Sequence, residues 1–193
     1  VADGLAVSSW DILSGRVEPK QNVLVYDGVS THAGAGVADF ISSRGSKVEI
    51  VTPDVKVADD CGGTTFPIFY RRLYAQGVIH TPNFWLDRVY EEDGKKIAVL
   101  RNEYTEEQEE RAVDQVVIEN GSTPNDLLYW KLKPESLNRG QIDVQKLFAA
   151  EAQPCLSEEL GNGRFVLFRV GDCISMHNIH GAIYDSLRLC KDF

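Results

Sequence analysis

The run NVLVYD, from Asn22 to Asp27, is continuously apolar and of strand length, and together with the helix and strand after it constrains the fold more than any other feature of the chain. Residues 35–45, AGVADFISSRG, carry apolar side chains at helical spacing and end on Gly45. A second apolar run, KVEIVTP, ends on Pro53. Because a single helix connects the two strands, we expect them to lie parallel and adjacent with a right-handed crossover. The pattern predicts the first half of a Rossmann-like unit.

Beyond Pro53 the pattern predicts one more helix and then mostly extended chain. The helix is expected to begin near Thr64 or Thr65 and to run through FPIFYRRLYAQG, with Gly77 as its stop. The short strand VIHT follows, and residues 84–118 predict an antiparallel β-meander that returns to the parallel sheet. The acidic run EEQEER is predicted to be a solvated hairpin turn.

After Gly121 the chain is rich in loop residues with short helical patches, which indicates a linking segment. A final strand, RFVLFRVGDC, and a final helix, HNIHGAIYDSLRLCKDF, are predicted to come after it. The helix places four apolar residues near one face: Ile179, Ile183, Leu187 and Cys190. The fold class predicted for the whole is α/β, a Rossmann-like three-layer nucleotide-binding domain with a parallel sheet and a β-meander.

Composition excludes several classes of function. The 193 residues include 29 acidic and 20 basic side chains, a formal charge of −9, so a nucleic-acid footprint is not expected. No apolar stretch reaches the roughly 20 residues that span a bilayer, and the N-terminus lacks the pattern of a secretory signal. A cytoplasmic protein without a membrane or nucleic-acid partner is the expectation.

The cysteines and histidines do not predict a metal site. Cys61, Cys155, Cys173 and Cys190 are the four cysteines, and they form no C-x-x-C pair. Reduced thiols packed as small apolar side chains are therefore expected. His177 and His180 lie one helical turn apart, but no carboxylate or cysteine partner is evident beside them.

The loop after the first strand departs from a dinucleotide-binding turn, which reads G-x-G-x-x-G directly after the strand. Here the strand ends on Asp27 and Gly28, and Gly34 and Gly36 come several residues later. Asp27 places a negative charge where phosphates would lie, and the second strand ends on Thr52–Pro53 rather than on an acid that could bind ribose. The four candidate cofactor-facing residues of this loop are thus Asp27, Gly28, Gly34 and Gly36. Their pattern predicts that the Rossmann-like shape is retained and that NAD(P) is not bound.

Gly171 and Asp172 form a second candidate site at the end of the last predicted strand. Gly171 lets the backbone approach a phosphate or a ribityl chain, and Asp172 can accept hydrogen bonds from sugar-like hydroxyls. The alternative is that Asp172 only caps the turn from strand to helix.

Three segments in order carry a family resemblance: residues 22–45, VVIENGSTPN, and VLFRVGDCISMHNIHGAIYDSLRL. Across essentially its whole length the chain resembles the C-terminal half of the trimethylamine dehydrogenase and 2,4-dienoyl-CoA reductase family of NADH:flavin oxidoreductases. Within that family it is similar to the bacterial dimethylglycine and N-methylproline demethylase members. The implied fold resembles the FAD/NAD(P)-binding domains of disulfide reductases.

The resemblance implies a division of the chain and a larger parent. Residues 20–125 would be an inserted NAD(P)-binding-like domain, and residues 1–19 and 126–193 the C-terminal part of an FAD/ADP-binding-like domain. STPN corresponds to ATGxxPN in the disulfide-reductase relatives and is interpreted as a hinge. An N-terminal barrel with FMN and a 4Fe–4S cluster would carry the chemistry outside this chain, so the sequence is expected to be a fragment and no catalytic residue is assigned to it.

The resemblance also implies cofactors and partners. Asp172 matches the family position that contacts FAD or ADP, beside Gly171. The expected partners are the barrel of the same parent, an electron-transfer flavoprotein and other copies of the full-length protein. The leading interpretation is part of an oxidative N-demethylase or dehydrogenase of a methylated amine or amino acid. The alternatives are the NAD(P)H-binding domain of a reductase, in which the segment from Gly34 to Gly36 holds pyrophosphate, and a non-catalytic scaffold.

Overall fold

The computed structural model describes residues 4–153, 165–176 and 178–190. These residues form two compact units, the first ending at Gly121 and the second beginning at Ser122. The first unit contains strands β1 (Val7–Ser8), β2 (Asn22–Asp27), β3 (Lys47–Thr52), β4 (Ile79–Pro82), β5 (Phe84–Glu92), β6 (Lys95–Asn102), β7 (Gln108–Val113) and β8 (Gln115–Glu119), and helices α1 (Ser9–Leu13), α2 (His32–Ser42) and α3 (Phe66–Ala75).

A five-stranded parallel sheet in the order β1-β8-β2-β3-β4 forms the centre of the first unit. The predicted pairing of the first two long strands is confirmed, with Val23 beside Val48 and Val25 beside Ile50. The central strands β2 and β8 are buried along most of their length because both faces of the sheet are covered.

Successive residues of β2 point to opposite faces of this sheet and into two separate cores. Val23 and Val25 pack with the helices, in a cluster that includes Ile41 of α2 and Leu73 of α3. Leu24 and Tyr26 pack on the other face against the three-stranded antiparallel sheet β5-β6-β7. Helices, parallel sheet and meander are therefore the three layers that the sequence predicts.

The structure partly corrects the prediction that the acidic run EEQEER is a hairpin turn. Only its first residues lie in the turn between β6 and β7, because β7 begins at Gln108 and pairs with β6 through Arg111. The Arg111 guanidinium also lies 3.2 Å from a carboxylate oxygen of Glu49, which ties the meander to β3. The chain passes from the meander to the parallel sheet at Asp114, whose carboxylate accepts a 2.9 Å hydrogen bond from the Asn22 amide.

The second unit contains helices α4 (Leu127–Leu132), α5 (Val144–Ala149) and α6 (Ile179–Cys190), and short 3₁₀ helices at Lys133–Glu135 and Gly171–Cys173. The predicted final helix is confirmed, but its apolar stripe is exposed: Ile179, Ile183, Leu187 and Cys190. Within the described part of the chain, no helix is long and apolar enough to cross a membrane.

The predicted final strand is not formed among the described residues. The segment 165–170 pairs with no strand there, although Val170 has extended backbone angles of −142° and 155°. The side-chain amide of Asn138 takes the place of a neighbouring strand, since it donates to the Leu167 carbonyl at 2.8 Å and accepts from the Leu167 amide at 2.9 Å. A strand requires a ladder partner, and an apolar run alone does not supply one.

The first unit includes β1 and α1, and β1 pairs with β8 through Val7 and Val117. In the structure, residues 7–13 therefore pack with the Rossmann-like unit. The assignment of residues 1–19 to the second domain of a longer parent remains a prediction about that parent. Of the predicted thiols and histidines, Cys155 and His177 lie outside the described residues, and Cys61, Cys173 and Cys190 are free thiols.

Candidate functional site

Three parallel strands of the first unit end at one edge of the sheet on buried polar side chains. Asp27 ends β2, Thr52 ends β3 and Glu119 ends β8. Asp27 and Glu119 are direct neighbours across β2 and β8. In open α/β folds, ligands bind at the carboxyl ends of the strands, so this edge is where a dinucleotide would have to lie.

The carboxylate of Asp27 is fully buried at this edge. Its Oδ1 accepts hydrogen bonds from the backbone amides of Ser30 at 2.9 Å and Val29 at 3.3 Å. The pKa of Asp27 is raised from its ordinary 3.8 to about 6, mainly by burial. The two amide hydrogen bonds oppose this rise, and the carboxylates of Glu119 and Asp54 contribute to it. The group remains mostly ionised at neutral pH.

Gly34 lies directly against this carboxylate, in the first turn of α2. A Cβ atom at Gly34 would lie 2.1 Å from the carboxylate carbon of Asp27 and 2.2 Å from its Oδ2. No such contact exists between real atoms, so only glycine fits at this position while Asp27 is present.

Gly28 and Glu119 are covered by neighbouring polar groups. A Cβ atom at Gly28 would lie 2.2 Å from Oδ1 of Asn120. The Ser9 hydroxyl donates to Oε2 of Glu119, and the Gly121 amide donates to its Oε1 at 3.0 Å. The backbone of Gly28, which would have to approach a pyrophosphate, is therefore already in contact with a side chain of this chain.

Of the four candidate residues predicted in the loop after β2, the structure brings three together and separates the fourth. Asp27, Gly28 and Gly34 meet at the edge of the sheet, whereas a Cβ atom at Gly36 would meet nothing within 4 Å. Gly36 lies inside α2, within the helical segment 35–45 that the sequence predicts. Gly34 also lies inside α2 and not in the loop, because the helix begins at His32, three residues before the predicted segment.

Ser30, Thr52 and Asn120 complete this edge and were not singled out as candidate ligand contacts from the sequence. The Ser30 and Thr52 hydroxyls are 2.9 Å apart and both are buried. A usable signal was present, because each of these residues lies at or just after the end of a predicted parallel strand.

In the second unit, the turn at Gly171 and Asp172 is held by α6. Gly171 has a φ of +57°, and a Cβ atom there would lie 3.0 Å from the Cβ of Ala182. Its amide donates to a carboxylate oxygen of Asp185 at 3.2 Å. Asp172 is exposed and lies in a 3₁₀ helix. The Gly171 amide is thus occupied within the chain, and Asp172 is exposed.

A cavity of about 280 Å³ lies beside this turn and is lined by Tyr129, Arg169, Asp185, Arg188 and other residues of the second unit. Arg169 is paired with Asp126 at 2.5 Å, and its guanidinium lies 4.6 Å from the centre of the Tyr129 ring. Arg188 donates to the Leu147 carbonyl at 2.9 Å. Two guanidinium groups and an aromatic ring are side chains that suit a phosphate and a planar base.

Curated proteins match this chain almost end to end. N,N-dimethylglycine/sarcosine dehydrogenase of Chromohalobacter salexigens is 52% identical over 191 residues, which are 98% of this chain and 28% of that protein. A probable N-methylproline demethylase of Rhizobium meliloti is 38% identical over 188 residues, 97% of this chain and 27% of that protein. The predicted resemblance to these demethylases is confirmed, and the chain spans less than a third of the length of each.

Solved structures show the same fold at low sequence identity. Histamine dehydrogenase from Rhizobium sp. 4-9 superposes with a TM-score of 0.70 at 20% identity, over 96% of this chain and 26% of that one. Thioredoxin reductase of T. acidophilum superposes with a TM-score of 0.60 at 17% identity, over 96% of this chain and 56% of that one. The predicted fold class is confirmed. No protein-family model matches the chain.

Proposed function

We propose that this chain is the C-terminal nucleotide-binding-like region of a longer flavin-dependent oxidoreductase that oxidatively demethylates a methylated amine or amino acid. The observation that carries this proposal is the 52% identity to N,N-dimethylglycine/sarcosine dehydrogenase across 98% of the chain. The second relative, a probable N-methylproline demethylase, is named for removal of a methyl group from an N-methylated amino acid.

The chemistry belongs to the part of the parent outside this chain. A flavin there would accept two electrons and a proton from the N-methyl carbon, and water would then release that carbon as formaldehyde. FMN and a 4Fe–4S cluster are the proposed groups of that part. No residue of this chain is assigned a catalytic role.

The second unit is the proposed binding region for FAD or ADP. Gly171 is needed for the turn itself, so the side chains proposed to contact the nucleotide are Asp172 and the cavity residues Arg169 and Arg188. Asp172 would accept hydrogen bonds from ribose hydroxyls, and the two guanidinium groups would face phosphate.

The proposed partners are the barrel domain of the same parent, an electron-transfer flavoprotein that accepts electrons, and further copies of the full-length protein. A cytoplasmic location is also proposed. An NAD(P)H-dependent reductase is the weaker alternative, because the fully buried Asp27 carboxylate lies against Gly34 where a dinucleotide phosphate would have to be.

The full-length protein tests the proposed activity. We expect the protein to contain flavin, and we expect dimethylglycine, sarcosine or N-methylproline to reduce that flavin in the absence of oxygen. With a dye added as an artificial electron acceptor, the formaldehyde released should be proportional to the dye reduced. The matched control is the non-methylated amine, glycine or proline, which carries no N-methyl group. Reduction of the flavin by NADH, with none of the methylated amines active, would favour the reductase instead.

Calorimetry with ADP tests the proposed nucleotide site in the same full-length protein. We expect Arg188→Ala to weaken ADP binding about tenfold or more through loss of a charged hydrogen bond to phosphate. Arg71→Ala is the matched control, since it removes the same charge from an exposed position of the first unit. Equal ADP affinity in both variants would contradict this placement.

A further inference from the structure

The carboxylate of Asp27 occupies the place at the start of α2 that a phosphate occupies in a dinucleotide-binding unit. In such units the pyrophosphate lies against the first turn of the helix that comes after the first long strand. Here that helix is α2, of 11 residues, and its first turn is in contact with Asp27 through Gly34. Glycine at this position lets the carboxylate approach the backbone of the helix start, since a Cβ atom would overlap it.

Two backbone amides of the loop between β2 and α2 donate to the same carboxylate. Both bonded amides, of Val29 and Ser30, donate to Oδ1. Ser30 has a φ of +48°, a conformation that costs a non-glycine residue energy and that helps to turn successive amides towards one anion. Oδ2 is buried and has no hydrogen-bond partner among the described residues, so it lies in the space beside the helix start without a donor of its own.

We propose that the loop after β2 and the first turn of α2 form an anion site whose ligand is the carboxylate of Asp27 itself. The ligand class of this site, once Asp27 is removed, is a small oxyanion such as formate or inorganic phosphate. In the natural chain the site is filled from within, and a nucleoside diphosphate has no space there.

The surroundings strengthen the exclusion of an external anion. Glu119 lies beside Asp27 on the neighbouring strand, and Asn120 covers Gly28. A phosphate would have to displace a buried carboxylate and then lie beside a second one, and both charges would repel it in a region of low dielectric constant.

A simple Asx turn is the competing account, in which Asp27 only fixes its own loop. The two accounts differ in the effect of deleting the side chain. An Asx turn leaves a loop that has lost two hydrogen bonds, whereas an anion site leaves a space with amide donors that a free oxyanion can fill.

The experiment compares hydrogen exchange of the segment 28–42 in the full-length protein, with formate or phosphate against chloride at matched ionic strength. We expect Asp27→Gly to exchange faster than the natural protein in chloride and to be protected severalfold by formate or phosphate. Asp27→Asn is the matched control, because it fills the same space without a charge and should not respond to either anion.

Two results would overturn the proposal. One is an equal response of Asp27→Gly and Asp27→Asn to formate and phosphate. The other needs no variant: protection of the segment 28–42 by inorganic pyrophosphate or NADH in the natural protein would mean that Asp27 does not fill the site. Neither result depends on the amine oxidation that tests the proposed function.

Discussion

Asp27 and Gly34 are in direct contact across the start of α2, so closely that a Cβ atom at Gly34 would lie 2.1 Å from the carboxylate carbon. This contact explains why residue 34 is a glycine while Asp27 is present, since a Cβ atom there would overlap the carboxylate.

Gly34→Ala should destabilise the first unit by about 2–3 kcal/mol, since it forces an additional carbon into a filled, buried position. Gly36→Ala in the same helix is the matched control, because its Cβ would meet nothing within 4 Å. We expect that change to stabilise the helix by up to about 1 kcal/mol. Native-state hydrogen exchange of amides in β2 and β3 measures both, and similar effects of the two changes would contradict the contact.

Removal of Asp27 should suppress the effect of Gly34→Ala. In a double-mutant cycle with Asp27→Gly, we expect a coupling free energy of about 1–2 kcal/mol, because the methyl group then occupies space that the carboxylate has left. The same cycle with Gly36→Ala should be additive. Additivity in both cycles would mean that the carboxylate is not what excludes a side chain at residue 34.

The stability of the first unit should depend on pH through Asp27. Its pKa rises from an ordinary 3.8 to about 6 by burial, with Glu119 and Asp54 also raising it. The folded state therefore favours the protonated form of Asp27. Its contribution to the free energy of unfolding, about 3 kcal/mol, is fully present below about pH 4 and is lost as pH rises through about 6.

Urea unfolding at pH 4 and pH 8 checks this dependence. Asp27→Asn should gain stability relative to the natural protein at pH 8, compared with pH 4, because the amide does not titrate. A constant difference between the two proteins over this range would show that the Asp27 pKa is not raised.

Neither the natural protein nor Asp27→Gly should bind NADH or NADPH at micromolar strength by calorimetry. The single change opens the anion position, but Asn120 still covers Gly28, Glu119 keeps its carboxylate beside the site, and β3 still ends on Thr52 without an acid for ribose. Clear NADH binding by the variant would contradict this account. NADH could also bind through its ADP part at the site proposed in the second unit, so the titration is repeated with Arg188→Ala in both proteins to remove that contribution.

Arg72→Ala should cost about 1–2 kcal/mol by weakening the packing of α3 on α2. The Arg72 guanidinium binds both carboxylate oxygens of Asp39, at 3.0 Å and 2.6 Å, and that carboxylate is almost buried. Arg71→Ala removes an exposed neighbour and should change stability by no more than about 0.5 kcal/mol. Native-state hydrogen exchange compares the two, and equal values would mean that the ion pair does not contribute.

From Asn22 onward, the sequence alone determined the helices, the parallel strands and the meander of the first unit, because their signals are local; it did not predict β1 or α1. Apolar runs, helical spacing and the stops at Gly45, Pro53 and Gly77 are properties of neighbouring residues. It also predicted that the negative charge of Asp27 disfavours a phosphate at this turn, since charge can be read without coordinates.

Only the tertiary structure decided what Asp27 contacts and where strands form. Burial of its carboxylate against Gly34 depends on the position of α2 over the sheet, which no local pattern contains. The run 165–170 is mostly apolar and Val170 has extended backbone angles, yet the run is not a strand among the described residues, because a ladder needs a second segment beside it. Local spacing therefore determined the elements, and contacts between residues distant in sequence decided the site.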